Sequence, residues 1–326
     1  MATAFSPANS VTTTTAAKFI PQIWSDEIVA AYKKNLVLAN LIKKMSFKGK
    51  KGDTVHIPSP TRGSASAKAS TVAVTLIAAT ESEVQVSINK HYEYSRLIED
   101  IVEAQALSSL RNFYTEDAGY ALARQVDTDL VQLGRAFNGA TVGTDDYATS
   151  SSSTKAYIGS DGTTAYNSAT SNAAQLTDAA IRRTIQRLDD NDVPMDGRFF
   201  LIPPSSRNTL MGLARYTEQA FVGDAGGGNT IRNGEIGNLY GIPVFVTSNA
   251  DTGYGNTQTD RICLMGHRDA MVLVEQVGIR SQTQYKQEYL GTLFTSDTIY
   301  GVKALRTSAT VGVATSSAAF ALAVPA

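Results

Sequence analysis

The stretch from Arg96 to Gly134, RLIEDIVEAQALSSLRNFYTEDAGYALARQVDTDLVQLG, decides how the rest of the chain is read. Leu97, Ile98, Ile101, Leu107, Leu110, Tyr114, Ala118, Ala121, Leu122, Val126, Leu130 and Leu133 recur on or near one helical stripe, and Gly134 closes it. The longest piece, beginning near Ala106, predicts a helix of roughly 40 Å at 1.5 Å per residue. It is the longest element in prospect, so the other elements are expected to pack along it.

Before this stretch the period is different. GDTVHIPSP (52–60) and TVAVTLIAATESEVQVSINKHYEY (71–94) place Val55 and Ile57, then Val72, Val74 and Leu76, then Val84, Val86 and Ile88 in alternation with polar residues, which predicts strands. The tip between them, SPTRGSASAKAS (59–70), has no residue larger than Arg62 and nothing to build a core from. A projecting hairpin is expected, and a ribbon of two or three strands is marginal in water unless it lies on a partner.

Residues 1–18 are small and polar, an arm ordered at most against a neighbour. From Phe19 to Met45 apolar residues return at helical spacing, which predicts two short amphipathic helices. Lys33, Lys34, Lys43, Lys44, Lys48, Lys50 and Lys51 make this region basic. They form either a solvated face or a contact with an acidic partner or packaged nucleic acid.

Downstream, residues 138–175 are rich in Ser, Thr, Ala and Gly and predict a surface loop or loose hairpin that buries little. A helix is expected from the cap Thr177 to Pro194, then the buried strand RFFLIPP. A further helix is expected to be capped at Ser205 or Ser206, with Leu210, Met211 and Leu213 inward. GIPVFVTSN, RICLMG, AMVLVEQ, the polar ribbon of residues 278–301 and VKALRTSATVGV read as strands, and the closing ATSSAAFALAVPA reads as a short tail.

Composition narrows the function. The chain has 326 residues, 43% hydrophobic and 18% charged, which is enough for a core without disulfides or metal. A net charge of −1 disfavours a dedicated DNA-binding protein, whose affinity comes from cationic contacts to phosphate. The single Cys263, in an apolar run, is expected to be a buried reduced thiol. The N-terminus lacks the basic start and apolar stretch of an export signal, and no run approaches the ~18 apolar residues of a spanning helix.

Glycines at 223–228, in GDAGGGNT, lack the Lys and hydroxyl residue of a phosphate loop. Gly234, Gly237 and Gly241 are followed by the strand IPVFV, where a dinucleotide fingerprint needs a helix. These glycines are expected to shape a loop tip and tight turns into a strand. His56, His91 and His267 lie in separate elements without metal-ligand spacing, and no nucleophile elbow occurs. The acidic groups Glu99, Asp100 and Glu103, Glu116 and Asp117, and Asp189, Asp190 and Asp192 read as solvated faces or pairs between subunits. No cofactor, metal or catalytic residue is expected, and the chain is not expected to be an enzyme.

The order of arm, ribbon, long helix and mixed body resembles the major capsid proteins of tailed bacteriophages with the Hong Kong 97-type fold, most closely podovirus coat proteins. The likeness rests on IPQIWSDEIVAAYKKNLVLANLIKK, KGDTVHIPSP, the helix segment IEDIVEAQALSSLRNFYTEDAGYALARQVDTDLVQ, GEIGNLYGIPVFVTSN and YGVKALRTSATVGV, in order along nearly the whole chain. The resemblance implies an α+β fold: an N-arm (1–48), an extended E-loop hairpin (49–92), a P-domain spine helix and polar loop (93–174), an α/β A-domain (175–272), a P-domain β ribbon (273–297) and a closing A-domain strand with a C-terminal tail (298–326). It implies pentamers and hexamers closing an icosahedral head around double-stranded DNA held weakly. A separate scaffolding protein, a portal and in some members a decoration protein are implied partners, with assembly in the host cytoplasm and no membrane contact. Candidate contacts between subunits are Trp24, Lys43, Lys44, Arg62, Lys68, Glu99, Asp100 and Glu103. A tail or fibre component, or an α/β enzyme, are the alternatives.

Overall fold

The computed structural model describes residues 37–48, 51–60, 65–74, 76, 81–101, 109–137, 156–166, 171–213, 237–253, 260–306 and 317–325. The expectations for residues 1–36, the Gly223–Gly228 loop and residues 307–316 lie outside them.

The long helix is present. Helix α2, Ser109–Gln132, has 24 residues, about 36 Å at the ordinary rise, and runs into a tight turn at Leu133–Ala136. The sequence carried its stripe back to Leu97, but Lys90–Glu99 is a strand, β4. Ten residues of β4 pair antiparallel with Gly291–Ala304 (β12), Leu97 opposite Leu293 and Ile98 opposite Thr292. A local 3.6-residue pattern was outweighed by a long-range ladder, which sequence periodicity does not see.

That ladder belongs to a four-stranded sheet in the order β1–β11–β12–β4, where β1 is Lys43–Ser46 and β11 is Met271–Lys286. The helix expected through Met45 is therefore corrected. Among the described residues only Leu38–Leu41 (α1) is helical there, and β1 runs parallel to Val272–Glu275. The strand sends Met45 into the cluster of Val86, Ile88, Val272 and Val274 while Lys43 and Lys44 stay in water.

The hairpin of β2 (Thr54–Pro60) and β3 (Glu81–Ser87) is antiparallel as expected. Val55, Ile57, Val84 and Val86 face one side, and its root packs on the four-stranded sheet through the same cluster. Contact is close there: a Cβ on Gly301 of β12 would lie 2.4 Å from the Ser87 carbonyl oxygen, so only glycine fits. The expected strand at Val72, Val74 and Leu76 is absent: residues 65–74 and 76 form no strand, and these three side chains are exposed.

The second sheet has seven strands. Its path is β5 (Ala156–Ile158), β13 (Ala319–Pro325), β10 (Asp260–His267), β6 (Arg198–Ile202), β8 (Ile242–Val246) and β7 (Asn238–Leu239), with β9 (Thr252–Gly253) paired to β10. Helices α3 (Asp178–Asp190) and α4 (Pro204–Met211) flank it. On α3, Ile181 and Leu188 are two turns apart on one face and join Phe199, Leu201, Leu264 and Leu322 in the main core. As expected, Thr177 caps α3, its hydroxyl accepting from the Ala180 N–H. The turn from β7 to β8 has positive φ at Tyr240 (52°) and Gly241 (80°), the conformation a two-residue hairpin turn requires.

Three expectations fail in this sheet. The C-terminal tail is strand β13, buried from Ala319 to Val324 between β10 and β5. Its alternating alanines carry little β propensity, but they let β10 approach closely: a Cβ on Gly266 would meet that of Ala319 at 2.7 Å. Residues 156–166, expected to bury little, supply β5 and the fully buried Tyr166, whose hydroxyl donates to Asp260 at 2.8 Å. Helix α4 begins with Pro203 as its cap residue and has no serine cap. Ser205 donates to the Pro325 carbonyl and Ser206 pairs with Cys263, while Met211 faces outward.

Candidate subunit interface

The extended parts of the molecule are built from residues that tie them to α2 at one end. On α2, Asp127 accepts from the backbone N–H groups of Leu38 and Ala39 and from the Asn249 amide. Two residues on, Asp129 accepts from Tyr300 at 2.7 Å and from Gln125, and pairs with Lys90 at 2.9 Å. One turn of helix thus fixes α1, the loop after β8, β12 and the start of β4, where the chain leaves the hairpin. Burial drives the Tyr300 phenol upward, and the Asp129 acceptor adds to this, so the phenol stays a donor. A part-buried Arg135–Asp251 pair, both bonds 2.9 Å, locks the end of α2 to the same loop.

Farther out, the sheet has one face on α2. Tyr94 donates to Asp117 at 3.0 Å, and Arg96 donates to Tyr94 while lying over the Tyr114 ring at 4.8 Å. On the opposite face Arg280 makes two bonds to Asp297, at 2.7 and 2.8 Å, and His91 reaches the same carboxylate at 3.2 Å. The Arg280 hydrogen bonds hold the Asp297 carboxyl below its ordinary value, with His91 adding in the same direction. The row crosses β4, β12 and β11 next to two register shifts in β11, at Glu275/Val277 and Val277/Arg280, so it pins strands that bulges would loosen.

At the far end of the sheet, Tyr285 donates to Asp100 at 2.7 Å, and Leu97, Ile101, Tyr285, Tyr289 and Leu290 are exposed. Exposed apolar groups are thus gathered at one end of the sheet.

The candidate residues are distributed as follows. Glu99 and Asp100 come together at this far end, both exposed. Lys43 and Lys44 lie on the opposite edge strand, with Lys44 donating to Asn40. Lys68 is exposed in the hairpin tip. Trp24, Arg62 and Glu103 lie outside the described residues. Sequence reasoning missed Asp127, Asp129, Arg280 and Asp297. For the first two a signal existed: Asp-x-Asp inside an apolar helical stripe, between Val126 and Leu130, has to find buried partners. The Arg280–Asp297 pairing depends on hairpin register and left no such mark.

Chemistry is sparse. Among the described residues no group of three or more His, Cys, Asp or Glu could hold a metal, and no helix is long and apolar enough to cross a membrane. Cys263 is buried, as expected, and burial pushes its thiol up to about 12.

A model of the family described as phage capsid protein matches residues 25–310. The chain belongs to the phage capsid protein family. No curated protein sequence matches it. Among solved structures, one from Mycobacterium phage Che8 is similar with a TM-score of 0.70 at 22% identity, covering 93% of this chain and 97% of that one. The capsid structure of the cyanophage P-SCSP1u gives 0.67 at 20% identity, covering 99% of each chain. The capsid of cyanophage Pam1 gives 0.69 at 13%, covering 98% of each. The capsid protein thus has the α+β fold of the Hong Kong 97 type along its length.

Proposed function

We propose that this capsid protein is the major subunit of an icosahedral phage head, assembling as pentamers and hexamers around double-stranded DNA. The observation that carries the reading is a hairpin whose root is packed on its own sheet and whose tip, residues 65–76, is exposed wherever described, in a member of a capsid family. Elements that cannot be satisfied within one chain are satisfied by neighbours, and repeated heterologous contacts close a shell.

On this reading the hairpin is the E-loop, α2 the spine helix, β4, β11 and β12 the P-domain sheet, and the seven-stranded sheet the core of the A-domain, with residues 1–48 as the N-arm, whose strand β1 joins the P-domain sheet. Lys43, Lys44, Lys68, Glu99 and Asp100, with Trp24, Arg62 and Glu103, serve contacts between subunits. Near-neutral net charge suits a container that holds DNA weakly. A separate scaffolding protein and a portal complete the head, with a decoration protein as a further partner, and assembly takes place in the host cytoplasm. The role is structural and requires no catalysis.

The test is sedimentation and negative-stain microscopy of the protein expressed alone and with a scaffolding protein. Closed uniform shells or five- and six-fold rings are expected. A small oligomer that never closes under either condition overturns the reading.

A further inference from the structure

Four arginines of this chain each have a carboxylate of their own: Arg135 pairs with Asp251, Arg182 with Asp178, Arg198 with Asp189 and Arg280 with Asp297. Arg187, on α3, has none. It is half-buried, no acceptor among the described residues meets its guanidinium, and its Nη1 is cut off from water. The group lies over the Tyr157 ring, 3.5 Å from its centre, at β5, the outermost strand of the seven-stranded sheet. Burial holds the guanidinium below its ordinary value and Arg183, one helical turn back, adds to this, while Tyr157 and Asp161 oppose it.

The ring takes the face of this cation and leaves its in-plane N–H groups unmet. A charge taken partly out of water without a hydrogen-bonded partner is unfavourable. Asp161, the carboxylate that acts on Arg187 from within the chain, is turned into its own loop, where it accepts the Thr163 and Thr164 N–H groups and the Thr164 hydroxyl. Arg183 donates to Gln186 and to no carboxylate among the described residues. Two guanidinium groups one turn apart therefore stand beside the sheet edge without a counter-charge.

The surroundings select the anion. Asp161 lies near, and the end of α3 and the turn after it carry Asp189, Asp190 and Asp192. A run of phosphates along this surface would meet those carboxylates, whereas a single carboxylate can be placed between them. Glu93, Glu116 and Glu288 are exposed and hold no ion pair among the described residues, so the same chain carries groups of the required kind.

We propose that Arg187, together with Arg183, receives a carboxylate from a second copy of this chain, in a contact made at the β5 edge of the seven-stranded sheet. The free subunit carries the cation uncompensated, and assembly supplies its partner. The inference rests on the reading of the chain as a shell subunit.

Two measurements on full-length protein test it. Arg187→Met removes the uncompensated charge and leaves a side chain against Tyr157, so the urea midpoint of the free subunit should stay unchanged or rise. The protein concentration needed to form shells should rise by about tenfold or more. A role confined to holding Tyr157 gives the reverse, a lower midpoint with normal assembly, and overturns the proposal. Arg187→Lys places an amine there that a carbodiimide joins to a carboxylate in contact with it. In DNA-free shells assembled from equal parts of isotopically heavy and light chains, linked peptides containing position 187 should include heavy–light pairs. Links only within one chain, no links at that position, or an assembly defect seen only with DNA present overturn the proposal. If wild-type chains form no shells, the assembly reading itself fails, and sedimentation shows that before either measurement begins.

Discussion

The Asp127 carboxylate caps a helix that begins 89 residues earlier in the chain: it accepts the Leu38 N–H at 3.0 Å and also that of Ala39. Val37 supplies no side-chain cap, so the first orphan N–H groups of α1 depend on this one long-range acceptor. Asp127→Ala leaves both N–H groups and the Asn249 amide without it, a loss of about 1–3 kcal/mol. Asp127→Asn keeps an acceptor oxygen and should lose less. Chemical denaturation of the unassembled subunit ranks the two, and equal loss would refute the capping role.

The same residue sets a pH dependence. Burial raises the Asp127 carboxyl above its ordinary value, against the opposing bonds from Asn249, Ala39 and Leu38. The folded state therefore holds the proton more tightly than the unfolded chain, and this group's contribution to stability grows as pH falls through the folded value toward about 4. Above the folded value that contribution is lost. Asp297 acts in the opposite sense, because Arg280 depresses it: its contribution is present above about 4 and fades as pH falls through its lowered value. The difference between the stability–pH curves of wild type and Asp127→Asn isolates the first effect. A pH-independent difference would exclude it.

What could be read from the sequence, and what could not, follows a physical division. Thr177 as cap, the turn at Gly241 and the body of α2 depend on residues close together in the chain, and β2 and β3 each carry their own alternation. The errors at the second half of β4, at β1 and at β13 share one cause. Each is a strand because of a partner distant in sequence: residues 291–300 for β4, Val272–Glu275 for β1, and β10 for β13. Val72, Val74 and Leu76 show the converse, a strand pattern with no strand partner among the described residues. Of the charged candidates, Lys43, Lys44, Lys68, Glu99 and Asp100 are exposed, while Asp127 and Asp129 were hidden because helical periodicity was scored on apolar residues alone.

The hydroxyl of Tyr300 should matter less than the cation that shares its acceptor. Asp129 is buried and receives Tyr300, Lys90 and Gln125 together. Tyr300→Phe removes one donor and should cost about 1 kcal/mol, whereas Lys90→Met leaves a buried carboxylate without its cation and should cost more. Thermal unfolding of the two variants gives the order directly. The reverse order would mean that Lys90 is solvated rather than paired.

Cys263 should be silent toward thiol reagents in the native subunit. Its pKa of about 12 leaves almost no thiolate at neutral pH, and β10 is covered on both sides by β13 and β6. Labelling should appear only with global unfolding, at a rate set by that opening. Rapid labelling under native conditions would show that the seven-stranded sheet opens locally at its centre.

Two short deletions should fail in different ways. Removing residues 60–70 takes away part of a hairpin tip that, where described, is exposed, so the subunit should remain folded and soluble but assemble poorly. Removing residues 319–325 takes strand β13 from between β10 and β5 and opens the core at Phe320, Leu322 and Val324, so the product should be insoluble. Solubility and circular dichroism separate the two before any shell is sought. Normal shells from the first variant would mean that the tip carries no contact between subunits, and a folded second variant would mean that β10 can close its edge without β13.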